Sequence, residues 1–211
     1  MKQTSIFLLF SFLLFSCIPA AQFASQNEIV NVYATSAAQP WLSELYDCGA
    51  DLGVVLNVNA DDAELYLRVG EPEIMVSPMY QIDEEEILIV THRESPVQNL
   101  SLEEAQAIFA GQGDPSVQVW VYSSDADVQI VFDQLVMRGR AVSSSARVAL
   151  SPQNMSDVLN AESDAVGILL RHWKVGNVRD VFSTGIVPVL AIAKEEPQGV
   201  VLELISCLQS N

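Results

Sequence analysis

Two histidines, three cysteines and one run of adjacent acids are the residues in this 211-residue chain whose types most readily do chemistry. His92 and His172 have no partner at metal-ligating spacing, so both read as satisfied or exposed side chains rather than ligands or general bases. Cys17, Cys48 and Cys207 form no CxxC and no Cys/His cluster, which leaves dithiol redox chemistry and structural zinc without support. The run Asp83-Glu84-Glu85-Glu86 would alternate its carboxylates to opposite sides of a strand, so it reads as a solvated strand entrance and not as a metal site. Gly111-Gln112-Gly113 follows a helical pattern and precedes Asp114-Pro115, which makes it a turn, since a phosphate-binding glycine fingerprint needs a strand before it and a helix after it. No nucleophile elbow, HExxH or P-loop occurs, and two isolated histidines assemble no Ser/His/Asp set. The sequence therefore reads as a binding protein and not an enzyme, with no metal and no cofactor. A net charge of −17 argues against nucleic acid, whose phosphates call for a basic footprint.

The start of the chain has the layout of a signal peptide: Lys2, an apolar run from Ile6 to Phe15 too short for a comfortable span, then Ser16 and Cys17. Leu14-Phe15-Ser16-Cys17 resembles the lipobox of bacterial lipoproteins. That resemblance implies a signal peptide over residues 1–16, lipidation of Cys17, a tether over 17–27, and a location on the extracytoplasmic face of the cell membrane. An ordinary signal peptide cut between Ala20 and Ala24 is the alternative, and it also exports the chain. Cys48 and Cys207 then remain as an even pair in a compartment that permits disulfides; they read either as one bridge or as two buried thiols.

The elements that must position any site alternate between strand and helix. Strands are expected at Ile29–Tyr33, Val54–Val58, Ile74–Val76, Ile87–Thr91, Val117–Tyr122, Ala165–Leu170 and Val187–Ala193. Helical patterns begin at Pro40, at Asp61 through Leu67, at the capping box Ser101-Leu102-Glu103-Glu104, at Val128 through Val136, at Ser151-Pro152 and at Pro197. This alternation is the pattern of an α/β fold with mainly parallel strands. Trp41, Trp120 and Trp173 read as core or rim residues, and Arg93, Arg147 and Arg171 as cations able to reach an anion.

The stretch Ser95-Pro96-Val97-Gln98-Asn99-Leu100-Ser101-Leu102-Glu103-Glu104, running into Ala107-Ile108-Phe109-Ala110-Gly111, resembles the phosphate-type substrate-binding proteins of ABC importers. Asp164-Ala165-Val166-Gly167-Ile168, and Pro188 to Ala191 leading to Glu196-Pro197-Gln198-Gly199, resemble later segments of the same family. The resemblance implies an α/β, periplasmic-binding-protein-like fold of two lobes, each with a mixed, mainly parallel sheet flanked by helices. Lobe 1 would take residues 28–91 and 186–211, lobe 2 residues 92–185, and the lobes would meet near Thr91–Glu94 and Phe182–Pro188. Both Cys48 and Cys207 would fall in lobe 1.

Carried over residue by residue, the family's ligand loops become Thr35, Ser36 and Ala37, then Ser77, then Ser123, Ser124 and Asp125. Hydroxyls and backbone amides at helix N-termini suit an oxyanion, although Thr35, Ser36, Ser123, Ser124 and Asp125 are equally good helix caps. The family's second loop carries Arg followed by SGT, whereas here Ser124 is followed by Asp125-Ala126-Asp127, so a dianion would face two carboxylates. The resemblance implies a monomeric, lipid-anchored receptor that captures a small ligand, an oxyanion of the phosphate class, for an ABC permease. The alternative is a degenerate binding-protein fold acting as a ligand sensor or protein-interaction module.

Overall fold

The computed structural model describes residues 28–74 and 76–210. The expected leader, the tether and the lipidation site Cys17 lie outside the described residues, as does Met75. The strands are β1 (Ile29–Ala34), β2 (Val55–Val58), β3 (Leu65–Val69), β4 (Met79–His92), β5 (Gln118–Val121), β6 (Arg147–Val148), β7 (Ala165–Leu170) and β8 (Val178–Ala193). The helices are α1 (Gln39–Leu52), α2 (Leu102–Phe109), α3 (Asp127–Phe132), α4 (Pro152–Ala161) and α5 (Gly199–Leu208).

All eight strands hydrogen-bond into one sheet, in the order β2-β1-β3-β8-β4-β7-β5-β6. β1 runs parallel to β2 and β3, and β5 parallel to β6 and β7, while β8 and β4 pair antiparallel with their neighbours. This is the expected periplasmic-binding-protein-like α/β architecture, with one difference. The two halves do not carry separate sheets, because β4 and β8 are 14 and 16 residues long and run through both. β4 pairs with the end of β8 from Met79 and takes up β7 from Ile87, so the changeover falls inside β4, ahead of Thr91–Glu94.

Burial follows from pattern. β1 and β3 alternate, placing Val30, Val32, Ala34, Leu65, Leu67 and Val69 in the core on the face covered by α1 and α5. β7 is buried at every position because both its faces are covered. Gly167 in its middle lets α4 approach: a Cβ there would stand 2.5 Å from the Met155 sulfur. Cys48 of α1 and Cys207 of α5 form a disulfide with Cα atoms 6.0 Å apart, tying together two helices that pack side by side. Among the described residues no helix is long and apolar enough to cross a membrane.

Several local expectations are overturned. Residues 65–69 are β3 and not the end of a helix: Leu65-Tyr66-Leu67-Arg68-Val69 alternates with a period of two, and β1 and β8 pair with it on either side. Of the strand expected at 74–76, Ile74 and Val76 belong to no strand and are 74% and 85% exposed. β8 begins at Val178, ahead of Val187, its polar first half forming an edge of the sheet. The helix expected over 128–136 begins as α3 but finishes as a π-helical turn, Asp133–Met137, closed by Arg138 at φ 49°. The acidic run is not uniformly solvated: it lies within β4, where Glu85 is buried.

Candidate functional site

From β1 the chain passes through α1 to β2 on one side, and β3 then adds on β1's other side. The gap between the C-terminal ends of β1 and β3 is thus a point where strand order reverses, and crevices at such points bind ligands in open α/β sheets. A cavity of about 290 Å³ opens there. Tyr33 and Thr35 reach it from β1 and the loop after it, Tyr66 and Arg68 from β3, and Asp125 and Asp127 from the opposite half, just ahead of and at the start of α3. Tyr33 and Tyr66 pair across the strands with rings stacked 5.4 Å apart. Burial pushes the Tyr66 hydroxyl above its ordinary range, and the nearby Asp127 carboxylate pushes it the same way.

Two features set the chemistry. The first is Asp127, 5% exposed, whose Oδ2 accepts the Thr35 hydroxyl at 2.6 Å and the Val69 backbone amide at 3.0 Å, while Oδ1 accepts the Val128 amide at 2.9 Å. A carboxylate of the second half therefore occupies two donors of the first half. Gly70 permits this closeness: at φ +74° it lies so near α3 that a Cβ would stand 2.2 Å from Val131 Cγ2. The second feature is Arg68, whose Nε and Nη2 are buried and have no hydrogen-bond partner among the described residues. A guanidinium has no neutral fallback, and its buried donors are costly to leave unmade, so this cavity wall favours an anionic group.

The expected site residues are only partly brought together. Thr35, Ser36 and Asp125 line the cavity. Ala37 is 1% exposed, and its carbonyl accepts the Trp173 indole at 3.4 Å. Ser123 donates its hydroxyl to Asp125, and Ser124 borders a different cavity beside Tyr122 and Asp133. Ser77 is at the other end of the sheet: the adjacent Pro78 carbonyl accepts from Ala193, which pairs with Leu65 at the start of β3. The capping role suggested for the hydroxyls does not hold at α1, whose N-cap is Ala38 with no side-chain cap; Thr35 Oγ1 accepts the Ala38 amide at 3.2 Å in the turn ahead of the helix.

Tyr33, Tyr66, Arg68 and the engaged Asp127 were not expected as site residues. The signal for Arg68 lay in the alternation of residues 65–69, which places Tyr66 and Arg68 together on the face away from the core. The arginines singled out from sequence are committed elsewhere or exposed. Arg171 pairs with Glu86, Arg147 lies 3.6 Å from Glu162 and over the Trp120 ring, and Arg93 is exposed beyond the end of β4.

A separate polar cluster marks the changeover between the halves. The Trp41 indole donates to Asp83 Oδ2 at 2.8 Å, His172 Nδ1 stands 2.9 Å from buried Glu85, and the His172 ring tilts against Trp41 at 4.7 Å. Glu86 accepts from Ser183 and Arg171, whose hydroxyl and guanidinium hold its carboxyl below the usual range, the hydroxyl most strongly. His92 Nε2 lies 3.0 Å from the Asn177 side chain. No group of three or more His, Cys, Asp or Glu suited to a metal ion occurs among the described residues.

The architecture defines the class of fold: a periplasmic-binding-protein-like domain with a crevice at the reversal of strand order. Among solved structures, the chain is similar to a protein from Clostridium perfringens assigned as a phosphate ABC transporter substrate-binding protein, with bound phosphate (14% identity, TM-score 0.76, 86% of this chain and 93% of that one). It is also similar to an ABC-type phosphate transport receptor from Vibrio cholerae (15% identity, TM-score 0.67, 85% and 93% covered). A third likeness is the regulatory domain of CcmR from Synechocystis PCC6803 in complex with 2-PG (11% identity, TM-score 0.66, 87% and 97% covered). Identities this low show the fold. No family model and no curated protein matches the sequence.

Proposed function

We propose that this chain is an extracytoplasmic, lipid-anchored solute-binding protein that captures a small ligand by an oxyanion group, phosphate-type or carboxylate, and hands it to an ABC permease. The observation that carries the reading is Arg68, which lines a cavity between the halves of the fold and has two buried donors with no partner among the described residues. Cys17 is the proposed anchor, and the loop residues Thr35 and Ser36 flank the ligand.

Titration calorimetry of the full chain in mild detergent, against phosphate, sulfate and a panel of small carboxylates, tests the capture step. Saturable binding that Arg68→Met abolishes is the expected result, and no heat with any of them overturns it. Incorporation of labelled palmitate, lost in Cys17→Ser, tests the anchor.

The second reading, a sensor or protein-interaction module with a degenerate cleft, is favoured by Asp127. Its carboxylate holds the Thr35 hydroxyl and the Val69 amide, joining the two halves through protein groups. That reading predicts no small-ligand binding in wild type and recovery of anion binding in Asp127→Ala.

A further inference from the structure

We infer that the cleft selects a small zwitterion, its carboxylate held by Arg68 from the first half and its ammonium group by Asp125 from the second. The inference rests on the capture of an anionic group at Arg68 proposed above and adds what the rest of the ligand must be. The charges lining the cavity are one guanidinium, Arg68, and two carboxylates, Asp125 and Asp127. Asp127 is spent on three protein donors. Asp125 is exposed and accepts from the Ser123 hydroxyl, which holds its carboxyl below the usual range, so it stays ionised. A dianion such as phosphate would gain one cation and meet two carboxylates. A molecule with one negative and one positive end satisfies both walls and carries no net charge into an acidic protein.

The remaining surfaces agree with this division. Tyr33 and Tyr66, with stacked rings, and Ile130 also line the cavity and offer contact to a short carbon skeleton. A volume of about 290 Å³ lies just under the range typical of drug-sized ligands and fits a small metabolite. Because Arg68 stands on β3 and Asp125 precedes α3 on the other side of the crevice, a ligand gripped at both ends bridges the two halves. Binding would thus favour the closed arrangement.

The test is calorimetry of the full chain in mild detergent with the neutral α-amino acids, propionate as L-alanine without its ammonium group, and phosphate. At least one amino acid is expected to bind, and propionate to bind roughly tenfold or more weakly, the fold-change typical of one charge-assisted hydrogen bond. Asp125→Asn should bring the amino acid to the level of propionate, Arg68→Met should remove both, and circular dichroism of each variant confirms folding. Propionate or phosphate binding as tightly as every amino acid overturns the zwitterion while leaving capture at Arg68 standing. An amino-acid preference unchanged in Asp125→Asn also overturns it. No binding by any of these probes, in a chain that is folded, overturns both.

Discussion

At the scale of single residues, the side chain that most constrains this cleft is Asp127. Its carboxylate accepts from Thr35, Val69 and Val128, and two of those donors belong to the opposite half of the molecule. Asp127→Ala removes a charged acceptor and leaves the Val69 amide buried without a partner, a change expected to cost about 3 kcal/mol. Asp127→Asn keeps an acceptor oxygen and should cost less. Urea unfolding of the two variants checks this, and an Ala variant as stable as wild type would show that the contact clamps nothing. Glu86 gives a pH dependence. Its folded carboxyl is held below the ordinary value by Ser183 and Arg171, so its stabilising contribution is complete above the unfolded-state value and disappears as pH falls through the lower, folded one. Urea midpoints taken from pH 7 down to pH 3 should fall less steeply in Glu86→Gln than in wild type, and parallel curves would remove Glu86 from the account. The sequence made Asp127 visible as a charge that a dianion would meet. It did not show that the same carboxylate is held by Thr35 and Val69, because that depends on the ends of β1 and β3, far away in the chain, meeting α3.

At the scale of elements, legibility tracked how local the deciding interaction is. The capping box at Ser101 and Glu104 is present with both of its reciprocal hydrogen bonds, since everything it needs lies within four residues. At β3, Asp61-Asp62-Ala63-Glu64 has the pattern of a helix start, whereas the alternation that follows is anchored by pairing with β1 and with distant β8. Only the strand conformation gives Tyr66 and Arg68 a shared face. The same strand ends in a testable device. Gly70 combines φ +74° with an approach to Val131 that leaves no room for a side chain, so Gly70→Ala adds backbone strain of about 1 kcal/mol to overpacking of about 1–3 kcal/mol. The variant should unfold at a clearly lower urea concentration. Gly139→Ala, at φ +86° with nothing within 4 Å of its added Cβ, should lose only the backbone part. Equal losses in the two would mean that the contact between β3 and α3 is not tight.

At the scale of the whole molecule, β4 and β8 make one sheet of what would otherwise be two, and strands shared by both halves are expected to couple their unfolding. The pairing of Cys48 with Cys207 was open in the sequence between a bridge and two thiols. The fold resolves the distance by packing α1 against α5 at opposite ends of the chain. The bridge joins two helices of the first half and closes a loop, with a sequence separation of 159, that runs out through the second half and back. Restricting so long a loop in the unfolded chain is worth about 2–5 kcal/mol. A Cys48→Ala/Cys207→Ala double variant, or the wild type in reducing agent, should therefore unfold at a lower urea concentration. Because β4 and β8 couple the halves, hydrogen exchange should record the loss equally in β1, beside the bridge, and in β5, on the far side of the sheet. Weakened protection confined to β1 and α1 would instead mean that the two long strands join halves which unfold separately.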